Sequence, residues 1–344
     1  GGIDWIHVRH EEAAAFAASA EAQLTGKLAV CAGSCGPGNL HLINGLYDAN
    51  RTGAPVLAIA SHIPSVQIGS TYFQETHPDR IFEECSVYNE LISSAAQSPR
   101  TVNSAIRHAV GLGGVSVITL PGDVSDLKAV EHVPTYVPAR PATLAPNATD
   151  IEEAAALLNK ADKVAIFAGA GVEGAHDEVI ALADALKAPI GHSLRGKHFI
   201  QYDNPFDVGM TGLLGYGAAA EGMNDADVLI LLGTDFPYDQ FLPGTPTIQV
   251  DTHAEKLGRR TDVGLAIHAQ VKPFIEALLP HLRAGRSDSF LKSKIKKHSE
   301  IMHAPVGAYT RNVEKMRPIH PEYAAHLLNE TAAKDAIFTA DTGM

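Results

Sequence analysis

The chain is built around short, unbroken apolar runs, each halted by glycine or proline or by a change to polar residues. Leu28-Ala29-Val30-Cys31-Ala32 stops at a glycine, and Leu40 to Tyr47 then shows helical spacing. Pro55-Val56-Leu57-Ala58-Ile59-Ala60 is a second such run, and Gly114 to Leu120 a third, ended by Pro121-Gly122-Asp123. A strand that is apolar on both sides has to be covered on both faces, which is the condition of a parallel sheet sandwiched between helices. The pattern breaks at 133–149, where Pro134, Pro138, Pro141 and Pro146 mark a linker. It then resumes with a helix from Asp150 to Asn159 and strands at 163–167, 228–232 and 247–250. The expected fold class is therefore α/β, as tandem doubly wound parallel-sheet domains.

The expected boundaries are 1–132 for the first domain, 133–149 for the linker and 150–284 for the second domain. Residues 285–318 read as an exposed helical connector whose lysines, Lys292, Lys294, Lys296 and Lys297, form a solvated face. A third unit starts near Ile319, with a helix from Glu322 to Asn329 and a strand over Ala336-Ile337-Phe338-Thr339. No internal sequence repeat is present.

A length of 344 residues suits two domains, and 45% apolar residues are enough for two buried cores. The formal charge of −12 excludes nucleic acid as a partner, because phosphate would be repelled. Cys31, Cys35 and Cys85 are too few for a disulfide framework and lack the second pair of a zinc site, so they read as small buried apolar residues and no metal ligands are expected. No apolar run approaches the ~20 residues that span a bilayer, and no signal peptide opens the chain, so a cytoplasmic setting is expected.

Three segments carry the chemistry. In Arg9-His10-Glu11-Glu12-Ala13-Ala14-Ala15-Phe16, two acidic residues open an alanine-rich helix. Complementing the helix dipole accounts for both, and so does proton chemistry. In Cys31-Ala32-Gly33-Ser34-Cys35-Gly36-Pro37-Gly38-Asn39, a glycine-rich turn joins strand to helix. It is neither a Walker loop nor a Gly-x-Gly-x-x-Gly, and a tight turn or a binding loop would each explain it. In Phe167-Ala168-Gly169-Ala170-Gly171-Val172, a strand leads into Gly-x-Gly, a weak sign of a nucleotide pyrophosphate when taken alone.

Taken together, the strand, the Arg-His-Glu-x-x-Ala helix start and the Ser-x-Gly-Pro-Gly-Asn turn resemble the pyrimidine-binding domain of thiamine-diphosphate enzymes. The likeness continues through Leu57 to Pro64, Tyr72-Phe73-Gln74-Glu75 and Leu120 to Val124. His62-Ile63-Pro64 and Phe73-Gln74-Glu75-Thr76-His77-Pro78 are similar to the pyruvate oxidases of the pyruvate:quinone oxidoreductase type in particular. The later segments Ser193-Leu194-Arg195-Gly196-Lys197, Gly209 to Gly215, Gly233 to Tyr238 and Gln249-Val250-Asp251 are similar to the FAD-binding middle domain of that family.

This resemblance implies roles for individual residues. Glu11 would hydrogen-bond the aminopyrimidine ring of thiamine diphosphate and shuttle a proton from a raised pKa in an apolar cleft; Glu12 would be structural. Gly36, Pro37 and Gly38 would lie bare against that ring, with Phe73 and Gln74 bordering the reaction space and His62 and His77 as further candidates. Gly169, Gly171, Arg195 and Lys197 would bind the flavin nucleotide. Thr211, Gly212, Leu213, Leu214, Thr234, Asp235, Phe236, Pro237 and Tyr238 would contact it too. Asp251 would accept hydrogen bonds from adenosine hydroxyls.

The implied activity is oxidative decarboxylation of pyruvate to acetate, with FAD passing electrons to ubiquinone or menaquinone. The implied assembly is a homotetramer with active sites between subunits, peripheral on the inner face of the cell membrane through a C-terminal tail. Magnesium would hold the diphosphate in a third domain, of which 319–344 would be the start and Asp341-Thr342-Gly343-Met344 the first loop. No Gly-Asp-Gly segment follows Ile319, and the first strand and helix of the pyrimidine domain are not found. The expectation is thus a chain truncated at both ends, able to hold FAD, a poor binder of thiamine diphosphate and itself inactive. Two alternatives are an acetolactate synthase-like carboligase and a catalytically silent FAD-binding fragment. An NAD-dependent deacylase is excluded by the lack of zinc cysteine pairs.

Overall fold

The structure, a computed structural model, describes residues 2–130, 136–139 and 142–339. The chain divides into two compact units, 1–140 and 141–344. Pro134 and Pro141 of the expected linker, and the expected loop Asp341 to Met344, lie outside the described residues.

The first unit runs α1 (Glu11–Thr25), β1 (Ala29–Gly33), α2 (Pro37–Thr52), β2 (Val56–His62), α3 (Pro78–Ile81), β3 (Tyr88–Leu91), α4 (Ser98–Leu112), β4 (Val115–Pro121) and α5 (Gly122–Ser125). Its four strands form one parallel sheet in the order β1-β2-β4-β3. The alanines of α1 are its packing face: Ala15, Ala18 and Ala22 are buried. Their small size lets α1 lie directly on α2, where a methyl group at Gly45 would sit 2.5 Å from the Ala15 Cβ. Leu42 and Leu46 from α2 join Val56, Val115 and Phe82 in the core beneath.

The second unit runs α6 (Ala148–Lys160), β5 (Val164–Ala168), α7 (His176–Leu186), β6 (Ile190–His192), α8 (Leu194–Ile200), β7 (Asp207–Met210), β8 (Tyr216–Gly217), α9 (Ala219–Asn224), β9 (Val228–Leu232), β10 (Thr247–Asp251), β11 (Leu265–His268), α10 (Val271–Leu278), α11 (Ser289–Thr310) and α12 (Pro321–Thr331). Seven strands form its sheet in the order β11-β10-β9-β5-β6-β7-β8, and only the β7–β8 pair is antiparallel. The chain starts at β5, winds outward to β8, and returns to β9 on the other side of β5. That reversal between β5 and β9 makes a switch point, where open sheets hold ligands beyond the strand C-termini. Leu182 and Leu186 of α7 and Phe274 and Leu278 of α10 are fully buried against the sheet, each contributing roughly 1.5–3 kcal/mol.

Three expectations are corrected. Lys294 is not solvated: α11 packs against β7, β8 and α9, and Lys294 is 5% exposed, its ammonium held by Glu221 at 2.7 Å and Asp225 at 2.5 Å. The segment Ala336–Thr339 is not a strand, because no neighbouring strand is there to take its backbone hydrogen bonds among the described residues. Cys31 and Cys85 are buried as expected, but Cys35 is half-exposed and its thiol donates to Gln74 Oε1 at 3.4 Å.

Candidate functional site

Two clusters gather the expected residues, one in each unit. In the first, Glu11 opens α1 and leans against the start of α2. A methyl group built on Gly38 would lie 2.8 Å from Glu11 Oε1 and also strike the Ser34 hydroxyl. The other carboxylate oxygen accepts a hydrogen bond from His41 Nδ1 at 3.1 Å. His41 in turn stacks on His10 with ring centroids 4.3 Å apart.

This environment overturns the expected raised pKa. The His41 hydrogen bond, then the Glu11 backbone N–H, hold the carboxyl below its ordinary range, and burial is too slight to offset them. Glu12 accepts from Asn44 Nδ2 at 2.5 Å, a link between α1 and α2.

The glycines of the turn are closely packed by their neighbours. Gly36 has φ +68°, and a methyl group there would lie 2.8 Å from the Gln74 Cβ. Gln74, itself at φ 64°, thus folds over the turn on one side while Glu11 closes it on the other. Phe73 stands 80% exposed beside it. His62 is buried at the end of β2, where burial pushes its pKa down and Nδ1 has no partner among the described residues. His77 is the residue before α3. His41 went unrecognised in the sequence because its partner is 30 residues away and nothing local marks it.

In the second unit, the expected residues lie in the loops, the helix α8 and the strand end that follow or close the sheet strands at their C-terminal edge. Gly169 and Gly171 follow β5, Arg195 and Lys197 belong to α8 after β6, Thr211 to Leu214 follow β7, Thr234 to Tyr238 follow β9, and Asp251 ends β10. The two glycines have a reason within the protein itself. A methyl group on Gly169 would lie 2.5 Å from the Thr234 Cβ, and one on Gly171 would lie 2.7 Å from the Gly233 Cα, so the β5 and β9 loops touch backbone to backbone. Gly171 N–H donates to the Gly233 carbonyl at 2.9 Å.

Phe236 is buried edge-on to Phe167 and to Tyr238, with ring centroids 5.1 and 5.5 Å apart. Gly212, at φ +115°, brings the β7 loop to the Phe236 ring, while Leu213 and Leu214 stay 68% and 60% exposed. Asp235 is bound by Arg259 and by Arg260 at 3.2 Å, and Pro237 is exposed. Lys197 Nζ donates to the Tyr216 hydroxyl at 2.8 Å.

These groups fit a dinucleotide. Thr211 and Thr234, which follow β7 and β9 at this edge, are only 4% and 5% exposed. Asp251 accepts from the His253 backbone N–H at 2.9 Å through Oδ1, which leaves Oδ2 for hydroxyl donors.

Tandem α/β units, each with a parallel sheet and a glycine-rich turn at a strand end, define a class of cofactor-binding protein. The profile described as thiamine pyrophosphate enzyme, N-terminal TPP binding domain, matches residues 1–81. That described as thiamine pyrophosphate enzyme, central domain, matches residues 151–278. The chain belongs to the thiamine-pyrophosphate-dependent enzyme family.

A 42.6 kDa protein of Pseudomonas amyloderamosa, from the isoamylase 3' region, is 55% identical over 85% of this chain and 74% of its own. YdaP of Bacillus subtilis, named for containing thiamine pyrophosphate, is 36% identical over 99% of this chain and 59% of its own. The pyruvate oxidase of Lactiplantibacillus plantarum is 29% identical over 99% of this chain and 57% of its own. Acetolactate synthases match at 26% to 31% identity. The chain thus spans less than two thirds of the length of YdaP and of the pyruvate oxidase.

Proposed function

We propose that the whole protein decarboxylates pyruvate oxidatively to acetate and carbon dioxide and passes the electrons through FAD to a membrane quinone. The observation that carries this reading is the C-terminal edge of the seven-stranded sheet. There Thr211 follows β7, Thr234 follows β9 and the carboxylate of Asp251 ends β10, all at one edge of the sheet. The likeness to a pyruvate oxidase across nearly the entire chain supports it.

When bound, thiamine diphosphate supplies the electron sink for decarboxylation and FAD accepts the electron pair. The protein's own part begins with Glu11. Its Oε2 is held by His41, so Oε1, beside Gly38, is the atom that takes up and returns a proton. A carboxyl held below its ordinary pKa is ionised near neutrality, so it starts as proton acceptor. Gln74 and Phe73 border the same turn and would limit the size of the keto acid. In the second unit, Thr211, Thr234 and Asp251 would bind the nucleotide, and the buried Phe236 packs the β9 loop against the β7 loop at Gly212. Among the described residues no group of three or more His, Cys, Asp or Glu could hold a metal, so no ligand is assigned to magnesium. No helix among them is long and apolar enough to cross a membrane; attachment would be peripheral.

The test is anaerobic mixing of the whole protein with pyruvate, thiamine diphosphate and magnesium while flavin absorbance is followed. Bleaching is expected. Acetolactate formation without bleaching would instead establish a carboligase, the reading favoured by the acetolactate synthases among the relatives.

A further inference from the structure

Beside the nucleotide edge, a chain of polar groups runs inward from Lys197 through Tyr216, Gln201 and Asp207 to His192. Lys197 can only donate, and its ammonium lies 2.8 Å from the Tyr216 oxygen. Gln201 Nε2 lies 2.7 Å from the same oxygen and 3.3 Å from Asp207 Oδ2. The orientation of that amide is set by Asp207. Although burial opposes ionisation, the His192 ring, with Nε2 3.4 Å from Oδ1, and hydrogen bonds from the Gly209 backbone N–H and Gln201 hold this carboxyl below its ordinary range. An ionised carboxylate only accepts, so the amide must turn its NH2 group toward it.

The Tyr216 oxygen therefore receives two hydrogen bonds, which use both of its lone pairs. Its own hydrogen has no acceptor among the described residues. The position of the ring says where that hydrogen is spent. Tyr216 pairs with Met210 at the end of β7, and Lys197 lies in α8 directly after β6, both on the edge that carries Thr211, Thr234 and Asp251. The Lys197 ammonium adds positive charge next to that donor, a pairing suited to an oxygen that is both acceptor and anion.

We propose that the Tyr216 hydroxyl, held by Lys197 and Gln201, donates to a phosphate oxygen of the dinucleotide bound at this edge. The proposal rests on the reading of the second unit as a dinucleotide site and names the group that would grip the phosphate. Tyr216→Phe tests it, because the ring and its contacts with Lys197 and His192 are kept while the proton is lost. Purified protein stripped of flavin is titrated with FAD and, separately, with ADP, and bound ligand is followed by flavin fluorescence and by calorimetry.

The expected result is about tenfold weaker binding of both ligands by Tyr216→Phe, at an unchanged circular dichroism spectrum, the scale of one charge-assisted hydrogen bond. Should that variant misfold, Lys197→Met, which removes the group that orients the hydroxyl, is expected to weaken both ligands likewise. A folded variant of either kind that binds FAD as tightly as the unaltered protein would overturn the proposal. So would a loss confined to FAD, since ADP carries the phosphates but not the flavin. Failure of the unaltered protein to bind either ligand is a different outcome and overturns the dinucleotide reading itself.

Discussion

At the scale of single residues, the geometry around Glu11 sets its titration. His41 lowers its pKa, so ionised Glu11 stabilises the fold above its ordinary value of 4.5, and this stabilisation is lost as pH falls through the lower, folded value. Removing the donor with His41→Ala should move the Glu11 carboxyl back up toward that value. Carboxyl carbon NMR across the acid range would show it, and an unmoved midpoint would mean that His41 is not what holds Glu11. The thiols differ as sharply. Burial pushes Cys31 up to about 12 and Cys85 up to about 11, whereas Cys35 is half-exposed. Thiolate is the reactive form, so iodoacetamide at neutral pH should label Cys35 first and leave the other two until the protein unfolds. Peptide mass spectrometry over a time course checks the order.

At the scale of elements, α11 shows where charge alone misleads. Its lysine-rich sequence reads as a solvated face, and Lys292 and Lys296 fulfil that, with side chains 74% and 79% exposed. Lys294, between them, turns inward to two carboxylates, Glu221 on α9 and Asp225 just after it. Lys294→Met should release those carboxylates to water and loosen α11 at a cost of about 1 kcal/mol. Faster hydrogen exchange in the first turns of α11, with α7 unchanged, is the expected signature.

The strands expected at 163–167 and 228–232 match β5 and β9 to within one residue, because five apolar residues in a row have nowhere to go but the middle of a sheet. By contrast β7, β8 and β11 left no such mark: they are two to four residues long and carry glycine, histidine or aspartate. The site followed the same rule. Glycine turns at strand ends were legible, whereas His41 and Tyr216 act through partners 30 and 19 residues away and could not be seen before folding.

At the scale of the whole molecule, two compact units carry separate cores, one around Leu42 and Phe82 and one around Leu182 and Phe274. A ligand that binds only the native form of one unit raises the stability of that unit alone. Differential scanning calorimetry of the chain should therefore resolve two transitions, of which FAD raises one. If both moved together, the units would unfold as one cooperative body.

The contact between the β5 and β9 loops also restricts how this protein can drift. Crowding in a core is often relieved by trimming a neighbour, so a larger residue at one place is tolerated after a smaller one appears at another. Here Gly171 and Gly233 meet at 2.5 to 2.7 Å from any added methyl group, and both already lack a side chain. Nothing smaller exists to substitute. A search for second-site suppressors of Gly171→Ala should return none at Gly233, and these positions can change only if one of the two loops is rebuilt.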